Sequence, residues 1–174
     1  AHSYLITGVL SPDYVDLSDD GITDDDLGSA VKFNYSMVHD AYRWRVTYDS
    51  GKAKYNRGLV ADATDDMGTV VFGTKEVWHL HSIEGKTHVA VFEISKRDDA
   101  LGVLDEYGGR DTSQRMYKLD KIKLYSKREL KVLGENAIPI KTVHFEYDYT
   151  LCPGVPNQVV DGAGKLTLKK IYFT

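Results

Sequence analysis

Residues 140–149 read I-K-T-V-H-F-E-Y-D-Y, and their alternation decides the fold class. Apolar or aromatic residues occupy every second position from Val143 to Tyr147, and the polar His144 and Glu146 lie between them. Successive side chains of a β-strand point to opposite faces of a sheet. The pattern therefore predicts a strand with one apolar face and one polar face.

The rest of the chain carries the same kind of signal. Twelve tyrosines and five phenylalanines, with many valines, isoleucines and threonines, suit a half-buried pleated surface. Residues 84–85, Glu-Gly, predict a two-residue hairpin turn between two of the strands. The predicted strands are residues 4–10, 30–38, 43–48, 53–60, 69–72, 77–83, 86–92, 116–125, 140–149 and 165–173.

One segment has helical signals. Ser126 can cap a helix, Glu129 stands three residues later, and Gly134 can end it, so residues 126–133 are predicted to be a short helix. The polar residues 96–110 are predicted to form a long loop or a short irregular pair of strands. The predicted fold is all-β, with antiparallel sheets in a sandwich-like or repeat-wrapped arrangement, and residues 1–174 form a single domain.

The charge and composition of the chain limit the classes of binding partner that we expect. The formal charge of -4 and the pI of about 5.8 give no reason to expect binding to nucleic acid or to an anionic membrane. No apolar run approaches the ~20 residues that a membrane span needs. Cys152 is the only cysteine, which excludes an internal disulfide. The chain starts without a signal-peptide pattern and ends within a predicted strand, so we expect it to be a fragment of a longer protein.

A short sequence motif, which we call the phrase, recurs along the chain. Leucine and isoleucine stand three residues apart in L-H-S-I, L-D-K-I and L-K-K-I, at residues 80–83, 119–122 and 168–171. Residues 6–9, I-T-G-V, are a looser fourth example, and strands with a central aromatic follow three of the four phrases. This predicts a repeated pair of strands, stacked or wrapped into one array. The alternative is a coincidence among strands rich in leucine and isoleucine.

The succession L-D-K-I-K-L-Y, K-T-V-H-F-E-Y-D-Y and K-L-T-L-K-K-I-Y-F, with loops between, resembles the β-rich segments of Rhs/YD-repeat proteins. That group includes shell parts of insecticidal toxin complexes and very large secreted bacterial proteins. The resemblance covers the C-terminal third of the chain and, loosely, residues 76–94. The usual glycine after Tyr-Asp is missing after Tyr147-Asp148. The resemblance implies a scaffold segment of a large extracellular or surface protein, and not a catalyst.

Residues 16–28, D-L-S-D-D-G-I-T-D-D-D-L-G, place six aspartates around Gly21. A calcium loop needs oxygen ligands at alternating positions, a glycine at the sixth position and a backbone carbonyl just after it. The twelfth position, normally a bidentate acid, is Leu27, so Asp25 or Asp26 would have to substitute. A solvated acidic turn is the alternative. The predicted ligands of a structural Ca²⁺ are Asp16, Ser18, Asp20, the carbonyl of Ile22, Asp24 and Asp26.

Weaker candidates lie elsewhere in the chain. A second acidic loop at residues 62–68 is a poorer match to calcium ligand spacing. Trp44 and Trp78 could stack against sugar rings, although such residues are also common in a sheet core. With a turn at residues 84–85, three histidines would share one sheet face and could bind a transition metal. These histidines are His79, His81 and His88.

The sequence therefore favours a non-enzymatic structural or interaction module of a large secreted or surface bacterial protein, stabilised by Ca²⁺ in the acidic loop. Its expected partners are neighbouring domains of the same chain, with another protein or a glycan as further possibilities. The main alternative is a carbohydrate-binding β-sandwich with a structural calcium. A metal-dependent enzyme that uses the three histidines is the third hypothesis.

Overall fold

The computed structural model describes residues 3–48 and 70–174, which form an antiparallel sheet with one short α-helix. Each strand pairs with the next one in the chain, so the order in the sheet is the order in the sequence. The all-β class and the single short helix predicted from the sequence are confirmed. The elements are β1 (Gly8–Leu10), β2 (Ala30–Val46), β3 (Val71–Glu84), β4 (His88–Asp105), β5 (Gly108–Ser126), α1 (Lys127–Leu133), a 3-10 turn (Gly134–Asn136), β6 (Lys141–Leu151) and β7 (Lys165–Phe173).

The sheet is built from three long antiparallel strand pairs, which we call the β2–β3, β4–β5 and β6–β7 arms. In the first arm, pairing extends from Lys32 opposite Glu84 to Val46 opposite Val71. Neighbouring arms share much shorter ladders, with three residue pairs between β3 and β4 and four between β5 and β6. The arms are therefore joined at one end and diverge toward the other.

All three arms contain the same irregularity. The isoleucine of each repeated phrase lies opposite a phenylalanine: Ile83 opposite Phe33, Ile122 opposite Phe92 and Ile171 opposite Phe145. The leucine three residues earlier lies opposite a residue only two positions further along the partner strand: Leu80 opposite Tyr35, Leu119 opposite Ile94 and Leu168 opposite Tyr147. One strand therefore has an extra residue in each arm, which makes a β-bulge at His81, Asp120 and Lys169.

This shared register confirms the repeat predicted from the sequence. The pairing within the unit differs from the prediction, because each phrase makes its long ladder with the preceding aromatic strand and only a short ladder with the following one. The structural unit is thus an aromatic strand, an excursion and a bulged return strand.

Face-to-face packing occurs within this one sheet, because the β2–β3 arm crosses the β4–β5 arm. The Tyr42 hydroxyl donates to the Ala100 carbonyl at 3.3 Å, and the Arg43 backbone N–H donates to the Gln114 side-chain oxygen at 2.8 Å. Leu101 is 1% exposed and lies at this crossing. The sequence left a sandwich-like and a repeat-wrapped arrangement open, and the described strands form a single sheet of repeated arms whose faces meet.

Local predictions had mixed outcomes. The helix lies in its predicted place, but Ser126 makes no side-chain capping hydrogen bond. The two-residue turn at Glu84-Gly85 is wrong, because Glu84 still pairs with Val89 and the turn comprises residues 85–87. Residues 96–110 continue β4 and β5, since shifts in register around Leu101 keep this polar segment in the ladder.

Two predicted features, the strand at residues 53–60 and the second acidic loop at residues 62–68, lie outside the described residues. Within the described part of the chain, neither helical segment has the length and apolar character to cross a membrane.

Candidate functional site: the acidic loop

The acidic loop, residues 16–26, starts and ends at one point beside β1. An isolated β-bridge joins Val15 to Leu27, whose backbone groups exchange two hydrogen bonds of 3.1 Å. Gly28 then leaves the loop with φ of +77°, and a Cβ there would lie 2.3 Å from the carbonyl oxygen of Asp13. Only glycine fits this turn without displacing the backbone.

Two aspartates organise the loop from within. The carboxylate of Asp16 accepts backbone N–H bonds from Asp19 at 2.7 Å and from Gly21 at 3.0 Å. Asp26 is 4% exposed and accepts bonds from the Thr23 backbone N–H at 2.8 Å and from the Tyr14 hydroxyl at 2.7 Å. Both carboxylates therefore satisfy the donors of the loop's own turns.

The ionisation of this pair follows from its contacts. The backbone N–H of Thr23, followed by the Tyr14 hydroxyl, holds the pKa of Asp26 below its ordinary value. Burial and the hydrogen bond to Asp26 raise the pKa of Tyr14 to about 12. Asp26 is therefore a carboxylate and Tyr14 a neutral donor at neutral pH.

Three lysines from outside the loop hold it against the sheet. Lys32 of β2 donates to the Ile22 carbonyl at 3.2 Å, and Lys86 donates to the Asp26 carbonyl at 2.9 Å. Lys127, at the start of α1, forms an ion pair with Asp24 and thereby lowers the pKa of that carboxyl. These contacts offset much of the charge repulsion within the loop.

A second group of oxygen atoms has no lysine or arginine partner among the described residues. The Ser18 hydroxyl lies 2.8 Å from a carboxylate oxygen of Asp20 and 3.4 Å from one of Asp25. The Thr23 hydroxyl donates to Asp25 at 2.7 Å. These four side chains form an exposed, oxygen-rich cluster at the tip of the loop.

The six predicted calcium ligands are thus divided between different tasks. Ser18 and Asp20 lie together, whereas Asp16 and Asp26 bind backbone donors, and the Ile22 carbonyl and Asp24 face lysines. In residues 3–48 and 70–174, no set of three or more His, Cys, Asp or Glu side chains is arranged to hold a metal ion. The calcium site stays a prediction. Two residues that were not predicted as ligands, Thr23 and Asp25, lie beside Ser18 and Asp20 in the cluster at the tip of the loop.

The lysines could not have been found from the sequence. Lys86 is 60 residues from Asp26, and no local pattern links a turn lysine to a distant acidic loop. Only the antiparallel order of β1, β2, β3 and β4 places the turn after β3 beside the loop.

The histidines do not form the predicted triad. The ladder between β3 and β4 pairs Ser82 with Val91, which moves His88 away from His81 and into the turn region. His81 is the bulge residue of its arm and is exposed, whereas His79 is partly buried and its ring lies 6.0 Å from that of Tyr117. The turn at residues 84–85, which would have placed His88 opposite His81 and next to His79 on one face, is wrong, so the predicted group of three is not formed.

The tryptophans also lie apart. Trp78 is 44% exposed and its indole N–H donates to Glu76 at 3.2 Å. Trp44 pairs with Gly73, while Trp78 pairs with Met37. Seven residues of β2 separate those positions, about 20 Å in an extended strand. A single ligand-binding platform of both rings is therefore not formed.

Comparison of the chain with protein-family models, with curated proteins and with solved structures found no match.

Proposed function

We propose that the chain is a non-enzymatic structural or interaction module of a large secreted or surface bacterial protein. The observation that carries this proposal is the arm that occurs three times with the same bulge. Repeated units of this kind bury their apolar faces against neighbouring units, and each unit alone has a limited core. The secreted or surface setting rests on the resemblance to Rhs/YD-repeat proteins.

The exposed apolar side chains of the outermost arm support the same proposal. Leu168, Ile171 and Phe173 of β7 are 47%, 49% and 59% exposed. An isolated domain seldom leaves such a row open to water, whereas a module within a larger assembly covers it with its neighbour.

The reading frame that encodes the chain provides the test. We expect further copies of the unit, an aromatic strand followed by a bulged L-x-x-I strand, in the flanking sequence. A frame with no further copy on either side would contradict the proposal.

Within this proposal, Ca²⁺ binds the acidic loop and pins it to the sheet. The support is the cluster of Ser18, Asp20, Thr23 and Asp25, whose oxygens lie within 3.5 Å of one another in pairs. Calcium prefers such hard oxygen ligands. We expect calcium to raise the melting temperature (Tm) and EDTA to reverse the rise.

A variant with Asp20→Asn and Asp25→Asn together should lose the calcium response. Asp40→Asn, which changes an exposed aspartate of β2 outside the loop, should keep it. A Tm that does not respond to calcium would remove the ion from the proposal and leave the module intact.

The second candidate function is carbohydrate binding. The exposed face of Trp78, with the Glu76 carboxylate beside it, offers an apolar ring surface next to a hydrogen-bond acceptor. On a glycan array, the chain should bind and Trp78→Ala should not, while Trp44→Ala should leave binding unchanged. Silence of the unmodified chain across the array would eliminate this candidate.

A further inference from the structure

The outer edge of β7 repeats a surface that is paired elsewhere in the sheet. β3 and β5 carry the same phrase and bulge as β7, and each receives an alternating strand on the side away from its own arm. In those ladders, Ile83 lies opposite Ala90 and Ile122 lies opposite Val143. β7 has Ile171 at the equivalent position, and among the described strands none lies beyond it.

The strands that fill this position share a short pattern. β1 provides a third example, because Val9 in its phrase lies opposite Val31 of β2. In all three cases the residue opposite the phrase is valine or alanine, and a phenylalanine follows two residues later. The three segments are Val31-Lys32-Phe33, Ala90-Val91-Phe92 and Val143-His144-Phe145.

The backbone of β7 is ready for the same pairing. Thr142 and Thr174 exchange two backbone hydrogen bonds, of 2.7 Å and 2.9 Å. Bonding alternates along an antiparallel ladder, so Tyr172 also bonds toward β6, while the N–H and C=O groups of Ile171 and Phe173 point outward. These outward groups are the ones that an added strand would use.

The charges on β7 decide whether the added strand is β7 of a second copy of the chain or a strand of different sequence. Lys169 and Lys170 of β7 each have an acidic neighbour on β6, Asp148 and Glu146, and remain 60% and 58% exposed. Like charges opposite each other destabilise a strand pair. Lysines on an edge strand therefore disfavour pairing with an identical copy. They favour a strand that carries an acid, as β4 and β6 do: Glu93 and Glu146 follow the phenylalanine, and each faces a lysine of the return strand of its own arm, Lys123 and Lys170.

We propose that the outer edge of β7 binds an extended polypeptide segment in which valine or alanine stands two residues before a phenylalanine that is followed by an acidic residue. The segment adds antiparallel to β7, with its valine or alanine opposite Ile171. This inference rests on the proposed function as an interaction module and names the chemistry of the partner.

A synthetic peptide of residues 140–150, I-K-T-V-H-F-E-Y-D-Y-T, is the probe for this edge. Fluorescence anisotropy with the labelled peptide should show saturable binding to the intact chain. Amide hydrogen exchange should show new protection at Ile171 and Phe173 and little change at Tyr172, which already bonds to β6. The peptide with Phe145→Pro should bind at least about tenfold more weakly, because it loses the ring and a ladder bond.

Two variants of the chain test the location. Phe173→Pro removes one outward N–H, and Ile171→Glu leaves every bond to β6 in place while it adds a negative charge that repels the acidic segment. Each substitution should weaken peptide binding. If Ile171→Glu weakens binding as Phe173→Pro does, misfolding of the Phe173→Pro chain does not explain the loss.

Three results would overturn the inference. These are no saturable binding, binding that leaves the Ile171 and Phe173 amides unprotected, and self-association of the chain that Phe173→Pro abolishes. If the peptide fails while the flanking reading frame holds further units, the edge inference fails and the module stands. If the peptide binds and the flanking reading frame holds no further unit, the edge inference stands and the module proposal fails.

Discussion

The acidic loop and the crossing of the arms are both polar regions, but they are held in opposite ways. In the loop, Asp16 and Asp26 bind backbone donors within ten residues of themselves. Beside the crossing, on β4, Arg97 binds Asp99 through two hydrogen bonds, and Asp99 also accepts the backbone N–H of Leu166 of β7, 67 residues away. The loop is a local structure attached to the sheet by lysines, whereas the crossing is the core of the described fold.

The comparison teaches that a high density of charge does not identify the structurally important polar residues. The loop has six aspartates and remains largely exposed. Around the crossing the charged groups are paired with one another, Arg43 with Asp111 and Arg97 with Asp99. Asp99 and Asp111 are 5% and 6% exposed, so each must keep its partner. Removal of one partner from a buried pair costs more than removal of an exposed one.

Leu101→Ala, at the crossing, is the substitution from which we expect the largest loss of stability. Leu101 is 1% exposed, and loss of its side chain should leave a cavity and reduce the free energy of unfolding by about 3 kcal/mol. Urea denaturation measures this. Leu104→Ala is the control on the same strand, since Leu104 is 51% exposed and should change stability far less. Equal effects of the two substitutions would mean that the crossing is not the core.

Asp99→Ala should have the next largest effect. The loss leaves Arg97 and the backbone N–H of Leu166 without an acceptor, and we expect a cost of about 2 kcal/mol, reduced because the Arg97 side chain is 31% exposed and partly screened. Asp161→Ala is the matched control, since that carboxylate is 85% exposed and pairs with Arg110. A loss at Asp161 as large as that at Asp99 would contradict the contrast.

Asp99 also predicts a dependence on pH. Burial opposes its ionisation, but the hydrogen bonds from Arg97 and Leu166 outweigh burial, so the pKa of Asp99 is lowered in the folded chain. Its contribution is therefore present above the unfolded pKa near 4 and is lost as the pH falls below it. When the free energy of unfolding is measured by urea denaturation at decreasing pH, it should fall more steeply for the unmodified chain than for Asp99→Ala.

Asp26→Ala should disturb the loop more than the fold. The backbone N–H groups of Leu17 and Thr23 and the Tyr14 hydroxyl lose their acceptor, so the loop amides should lose protection from hydrogen exchange. Amides of β4 should keep theirs. Asp25→Ala, at the exposed tip, should leave the amides of Leu17 and Thr23 unchanged. Equal loss of protection in β4 would show that the loop is part of the cooperative core.

The smallest expected effect belongs to His79 of β3, whose ring lies 6.0 Å from that of Tyr117 of β5. Its Nε2 is buried and has no hydrogen-bond partner within the described residues, and burial followed by the neighbouring His39 lowers its pKa. Stability should therefore fall as the pH drops below about 6.5, because the unfolded chain binds the proton first. The Tm of His79→Phe should change less between pH 7.5 and 5.5. His81→Phe, at the exposed bulge, should retain the slope of the unmodified chain.

Particular residues show how far the sequence could be interpreted. The alternation of Val143, Phe145 and Tyr147 correctly predicted a strand because side-chain direction along a strand follows a period of two. The L-x-x-I phrases correctly predicted a repeat. A spacing of three opposite a spacing of two requires a bulge, so that feature was also encoded locally.

The turn after Glu84 failed because several loop lengths suit the same residues, and the choice depends on the ladder of the neighbouring strand. One wrong turn shifted the register and created a histidine triad that does not exist. In the acidic loop, the sequence indicated a turn-rich, negatively charged segment, but each carboxylate's role depended on lysines in β2, in the turn after β3 and in α1.

By itself, then, the sequence determined the all-β class, the recurrence of the L-x-x-I strands and the position of the short helix, since periodicity and turn chemistry act over a few residues. The tertiary structure alone decided how the arms cross and which distant partners Asp99 and Asp111 have. Those properties depend on contacts between residues 50 or more positions apart, such as Tyr42 with Ala100 and Asp99 with Leu166, and no local pattern records them.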